Sequence, residues 1–246
     1  KPGVGFRVLR QERIQTRLGG GPPGTLPREA VDDTLRAVRR FLRGVRRDRA
    51  ESGDERPLRF IAIATAAVRD AVNRDRLLGP LRREEGIEVR VLTGAEEARL
   101  AAFAAMEDLP RRFQGVIADL GGGSLQLTTV RRGRIAKTAT VPLGTVRMTR
   151  RFIRSDPPEP RELRALRAEI RRQIDAVLPT ARRGDGIVGL GGTIRMLARM
   201  HLVKHHSRRR HRQGLRLDHA DITAIRAGLE AVSLHQRKEL RGLMAE

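Results

Sequence analysis

Apolar positions along this chain alternate between helical and extended spacing. From Pro27 onward, Val31, Leu35, Val38, Leu42 and Val45 recur at three- and four-residue steps, which predicts a helix with one apolar stripe. Arg36, Arg39, Arg40, Arg43, Arg46 and Arg47 cover much of its remaining surface and read as a solvated face, with a docking surface as the alternative. Before this helix, residues 4–16 alternate weakly and read as extended, ending at the turn-rich LGGGPPGTLP.

Leu58 to Ala64 (LRFIAIA) is a short, nearly continuous apolar run, the pattern of a buried strand in a layered α/β protein. Thr65 reads as an N-cap, TAAVRDAVN as the helix it opens, EVRVL (88–92) as a second strand and AEEARLAAFAAMED as a further helix. The pattern restarts after Arg111 to Gln114 with the strand GVIADL, the turn GGGS, the strand LQLTTV and another strand across RIAKTATV. A boundary is therefore expected there, giving domains 1–112 and 113–246. Further on, Leu163, Leu166, Ile170, Ile174 and Val177 form the stripe of a helix from Pro160 to Leu178. Gly184 to Leu190 reads as a strand leading into the helix GGTIRMLARM, SRRRHRQ as an exposed basic loop, and DHADITAIRAGLEAV as a last helix. Strand, turn and helix in repeated alternation imply a sheet flanked by helices.

Composition narrows the function classes. In 246 residues, 51 Lys and Arg face 29 Asp and Glu, a net charge of +22 that favours polyanions: nucleic acid, an acidic membrane or a phosphate polymer. With six Phe and no Trp or Tyr, the core must be built from Leu, Val, Ile and Ala, and base stacking has few partners, so nucleic acid is expected only as a non-specific ligand. Zero Cys excludes disulfides, thiolate catalysis and Cys-ligated zinc, and fits a reducing, cytoplasmic setting. No apolar run reaches the roughly 18–20 residues of a membrane span, and the start KPGVGFRVLR lacks a signal-peptide core. A chain that opens on Lys1 reads as a fragment.

The segment Asp119-Leu120-Gly121-Gly122-Gly123-Ser124 carries the most chemistry. It puts a carboxylate at the end of an apolar strand, followed by glycines whose N–H groups can wrap an oxyanion and a Ser hydroxyl that can donate. Asp119 suits Mg²⁺, which prefers oxygen ligands; a ligand-free glycine hairpin is the bland alternative. Gly189-Leu190-Gly191-Gly192-Thr193 repeats the logic at a helix N-terminus. Arg69 after one strand and the pair Glu96-Glu97 after another suggest a cleft between two domains, in which one carboxylate deprotonates water. The same pair also suits a helix N-terminus through its dipole alone. His205, His206 and His211 invite a metal reading, but Arg208, Arg209, Arg210 and Arg212 around them repel cations.

IATAAVRDAVN, VLTGAEEARL, ADLGGGSLQL, VPLGTVRMT and GLGGTIRMLA together resemble, in order, the exopolyphosphatase and guanosine pentaphosphate phosphatase family, from about Phe6 to the C-terminus. The resemblance implies an α/β fold of the actin-like ATPase superfamily, with two ribonuclease-H-like domains, the first lacking its N-terminal strand. It implies Mg²⁺-assisted release of terminal phosphate from inorganic polyphosphate, or of the 5′ phosphate from guanosine pentaphosphate, and leaves a homodimer open. By position it makes Glu97 catalytic and Asp119 metal-associated. Arg69, Gly121, Gly122, Gly123, Ser124, Gly191, Gly192 and Thr193 become phosphate-binding. Two departures stand out: KPGVGFRVLR supplies no first phosphate loop, and Leu125-Gln126 replaces the family's usual Thr-Glu, so Gln126 is a weakened metal position. A binding module that holds polyphosphate or the alarmone without hydrolysing it is the alternative these departures suggest.

Overall fold

The stripe beginning at Val31 folds as α1 (Arg28–Ser52), which buries Ala30, Val31, Leu35 and Leu42. The computed structural model describes residues 8–53, 55–178, 185–205 and 214–240; residues 4–7 of the expected extended segment, and SRRRHRQ with His206 and His211, lie outside these. The arginine face of α1 is not wholly solvated. Arg39 donates from Nε to Glu85 at 2.7 Å and also pairs with Glu84, both on α3 (Asp75–Glu85), while Arg40 meets Glu12 at 3.2 Å.

Contacts divide the chain into two units, Lys1–Thr93 and Gly94–Glu246. In the first, β1 (Ala62–Ala64) pairs in parallel with β2 (Val89–Val91), Ala62 opposite Val89 and Ala64 opposite Val91. Leu26, Val31, Leu35, Val68, Ala71, Leu77 and Leu81 form its core. The strand expected over 58–64 is shorter: residues 58–61 pair with no strand among the described residues, and Ile61 is 91% exposed. The helix expected over TAAVRDAVN also stops early, as α2 (Ala66–Arg69). Beyond it the chain bonds to the preceding loop instead: Val72 N–H donates to Gly24, and the Asn73 amide pairs with both backbone groups of Leu26 at 2.8 and 2.9 Å.

The second unit opens with α4 (Gly94–Met106), followed by β3 (Gly115–Leu120), β4 (Leu125–Arg131) and β5 (Arg134–Val141). Next come α5 (Thr145–Phe152), α6 (Pro160–Val177), β6 (Gly186–Leu190), α7 (Gly192–Lys204), α8 (His219–Glu230) and α9 (Leu234–Glu239). The sheet order is β5-β4-β3-β6, antiparallel through β5, β4 and β3, with β6 parallel to β3. The pattern restart at 113 and the division of contacts do not coincide. Helix α4 lies against β4 and β5, where Ala102 packs with Ile117 and Val130 and the Ala98 carbonyl accepts from the Thr128 hydroxyl at 3.4 Å. On the opposite face, Val116, Leu127 and Val141 pack with Met148 of α5 and with Leu166, Ile170 and Ile174 of α6. Helix α6 starts where its sequence dictates, at Pro160 behind a reciprocal cap between Glu159 and Glu162.

Candidate active site

Because β3 and β6 run parallel, their C-terminal ends meet at one edge of the sheet, the place where open α/β sheets hold ligands. There the ladder aligns Thr140, Gln126, Asp119 and Leu190, one on each strand. Directly opposed residues point to the same face. Asp119 alternates with Ala118 and Gln126 with Leu127, both of which pack toward α6, so Asp119 and Gln126 lie on the α4 side.

Asp119 is half-buried, and desolvation pushes its carboxyl above the usual range, opposed by the charge of Arg195 one turn into α7. Its Oδ1 would stand 3.2 Å from a β-carbon on Gly191, a residue at φ 99° whose β-carbon would also press on the Leu120 carbonyl at 2.5 Å. Glycine there lets α7 begin against the carboxylate, with Gly192 and Thr193 in its first turn. Gln126 is 2% exposed and donates from Nε2 to the buried Ser124 hydroxyl at 2.7 Å.

The glycine loop is held from behind by α5. Thr145 N–H donates to the Gly121 carbonyl at 3.0 Å, Val146 and Arg147 N–H to that of Gly122 at 2.9 and 3.1 Å, and Arg147 Nε to that of Gly123 at 2.9 Å. In a trans peptide the carbonyl of one residue and the N–H of the next point in opposite directions. Tying these carbonyls to α5 therefore turns the N–H groups of Gly122, Gly123 and Ser124 away from it, as an anion-binding nest requires.

Glu97 stands on the first turn of α4, immediately before Ala98, which meets Thr128, and three residues after Gly94, whose β-carbon would lie 2.7 Å from the Thr140 hydroxyl. That turn thus runs along the face carrying Gln126 and Asp119. Arg69 belongs to the other unit, where its Nη1 donates to the Leu92 carbonyl at the end of β2 at 2.9 Å. The structure therefore brings Asp119, Gly121, Gly122, Gly123, Ser124, Gln126, Gly191, Gly192 and Thr193 to one edge, with Glu97 on the helix above it. Sequence reasoning assigned no role to Gly144, Arg147 or Arg195. The first two lie in VPLGTVRMT, a motif quoted only for its order, and Arg195 lies two residues past Thr193.

The model of the Ppx/GppA phosphatase family matches residues 2–246. Exopolyphosphatase 1 of Mycobacterium leprae is 35% identical over 150 residues, 57% of this chain and 43% of that protein. Exopolyphosphatase 2 of Mycobacterium tuberculosis is 32% identical over 206 residues, 78% of this chain and 61% of that protein. The chain spans about half the length of the curated relatives it matches. Among solved structures, an exopolyphosphatase from Cytophaga hutchinsonii superposes with a TM-score of 0.77 at 25% identity, covering 96% of this chain and 76% of that one. An Aquifex aeolicus Ppx/GppA protein gives 0.70 at 24% identity, covering 90% and 69%. The fold is the actin-like ATPase fold of these neighbours.

Proposed function

The chain belongs to the Ppx/GppA phosphatase family, and from that premise we propose that it removes terminal phosphate from inorganic polyphosphate by attack of water. The observation that carries the reading is the row Gln126–Asp119 beside a glycine loop whose carbonyls are tied to α5, under the helix bearing Glu97. In this reading the N–H groups of Gly122, Gly123 and Ser124 hold the oxygens of the terminal phosphate, and the start of α7 at Gly192 and Thr193 holds its neighbour. Glu97 accepts a proton from water as the water oxygen bonds to phosphorus. The bridging P–O bond breaks, leaving a chain one phosphate shorter. Arg147 and Arg195 supply positive charge, and the net charge of +22 attracts a polyanion from a distance.

Mg²⁺ fits the donor set: Asp119 offers a half-buried carboxylate, partly countered by the charge of Arg195, and Gln126 an amide oxygen. Bound there, the ion would draw charge from phosphate oxygens and ease cleavage. Polyphosphate is taken as the substrate because the named relatives of 35% and 32% identity are exopolyphosphatases. Cytoplasmic location belongs to the same reading; among the described residues no helix is long and apolar enough to cross a membrane.

The test is Mg²⁺-dependent phosphate release from polyphosphate by the chain and by Glu97→Ala. Loss of at least about 10²-fold is expected from removing the base; equal release by both would sink the role of Glu97. One observation favours a second reading, a module that binds without turnover: Gln126 puts a neutral amide at the position next to Asp119. Tight binding of polyphosphate with no phosphate released would favour that reading.

A further inference from the structure

His201 lies in the last turn of α7 and His205 caps that helix one turn further on, so both imidazoles leave the same side, and Asp221 reaches them from the first turn of α8. Asp221 Oδ1 is 3.3 Å from His201 Nδ1 and 3.4 Å from His205 Nε2, and one donor atom from each residue lies within 4.8 Å of the others. The rings are tilted 39° to one another, with centroids 4.4 Å apart. His201 Nδ1 is buried and makes no hydrogen bond among the described residues, although a carboxylate oxygen stands close by. A buried ring nitrogen facing an acceptor at that distance, without an aligned N–H between them, needs another partner.

A divalent cation supplies it. Donors at about 2.0–2.1 Å in a tetrahedron stand roughly 3.3 Å from one another, the separation that both His–Asp pairs already show. The Asp221 carboxylate is oriented for such a role, because the Asp218 backbone N–H donates to its Oδ2 at 3.2 Å. That cap fixes the orientation of Oδ1 as an outer-shell hydrogen bond does at a metal ligand. Two imidazoles and one carboxylate select a borderline transition ion over Mg²⁺ or Ca²⁺, which take oxygen donors.

We propose that His201, His205 and Asp221 form a site for a zinc-class divalent cation that clasps α8 to α7, at the opposite end of α7 from its glycine turn. The expectation from sequence grouped His205 with His206 and His211. The structure instead joins His205 to a residue one turn earlier and to a carboxylate on another helix, whose charge offsets part of the surrounding basic excess. Helix α8 is held to the rest of its unit partly by the Arg167–Glu230 pair at 2.7 Å, and the cation adds a second tether at the other end of the helix.

The experiment is calorimetric titration of tag-free, chelator-treated protein with Zn²⁺ in buffer without phosphate. A parallel titration uses Co²⁺, read by visible absorption. The expected result is one Zn²⁺ per chain, a melting temperature that rises with Zn²⁺, and the intense absorption of tetrahedral Co²⁺. His201→Gln and Asp221→Asn should each weaken Zn²⁺ binding at least tenfold, whereas His206→Gln with His211→Gln should leave it unchanged. The proposal is overturned if the chain binds no Zn²⁺, if either ligand variant binds as tightly as the parent, or if Co²⁺ gives the weak spectrum of an octahedral ion. These readouts need no phosphatase activity, so they stand or fall separately from the proposed reaction.

Discussion

Gly144 lies against the backbone of Gly123 so closely that a β-carbon on it would stand 2.2 Å from the Gly123 carbonyl carbon and 2.3 Å from its nitrogen. This contact sets how near α5 comes to the glycine loop, and hence how its N–H donors meet the loop carbonyls. Gly144→Ala must push the two apart. The expected cost is about 1–3 kcal/mol of stability, as for other overpacked sites, with at least a tenfold fall in kcat/KM for polyphosphate as the loop amides turn. Urea unfolding and steady-state kinetics check both. A variant that is destabilised yet keeps full kcat/KM would separate the contact from phosphate binding.

This dependence explains what the sequence could and could not reveal. The strand–GGGS–strand hairpin, the GG turn opening α7 and the stripe of α6 were legible because each is a local pattern of period and punctuation. Helix α5 was not, because what fixes it is tertiary: backbone donors at Thr145, Val146 and Arg147 reach carbonyls more than twenty residues earlier. Residues 58–61 misled for the opposite reason. A continuous apolar run signals burial on both sides, yet here Phe60 and Ile61 stay exposed and pairing begins only at Ala62. Asp119 and Gln126 could be picked out by residue type, but their sharing one face required the sheet register. The His201–His205–Asp221 cluster likewise depends on two helices that no spacing rule joins.

Asn73 locks the first unit. Its amide meets both the N–H and the carbonyl of Leu26, a residue 3% exposed in the core. Asn73→Ala leaves both groups without these partners. The expected loss is about 1–3 kcal/mol, read as a lower urea midpoint at an unchanged m-value. A midpoint equal to that of the parent would mean that solvent satisfies Leu26 and that the loop is fixed by its apolar contacts.

Gln126→Glu should restore a second carboxylate opposite Asp119 while keeping Ser124 satisfied, because the Ser hydroxyl can donate to a carboxylate in place of accepting from an amide. Without a cation the like charges oppose each other. With Mg²⁺ they are bridged, so the expected outcome is an apparent Mg²⁺ affinity about tenfold higher and a larger Mg²⁺-dependent rise in melting temperature. Unchanged Mg²⁺ dependence of both phosphate release and melting would remove Gln126 from the metal position.

The Asp119 carboxyl lies above its usual range, first because burial penalises its charge, with Arg195 partly offsetting that. A carboxyl whose folded pKa exceeds its unfolded one binds its proton more tightly when folded. It therefore costs no stability below the unfolded pKa, and the penalty grows as pH rises through the folded pKa and is complete above it. Asp119→Asn is thus expected to melt at a higher temperature than the parent at pH 7 in the absence of Mg²⁺, and at a similar temperature in acid, while losing about 10²-fold or more in phosphate release. Arg195→Gln removes the opposing charge and pushes the carboxyl further up, so the acid limb of kcat/KM against pH should move to higher pH. If that limb stays in place while overall activity falls, Arg195 holds substrate without tuning Asp119, and the limb belongs to another group.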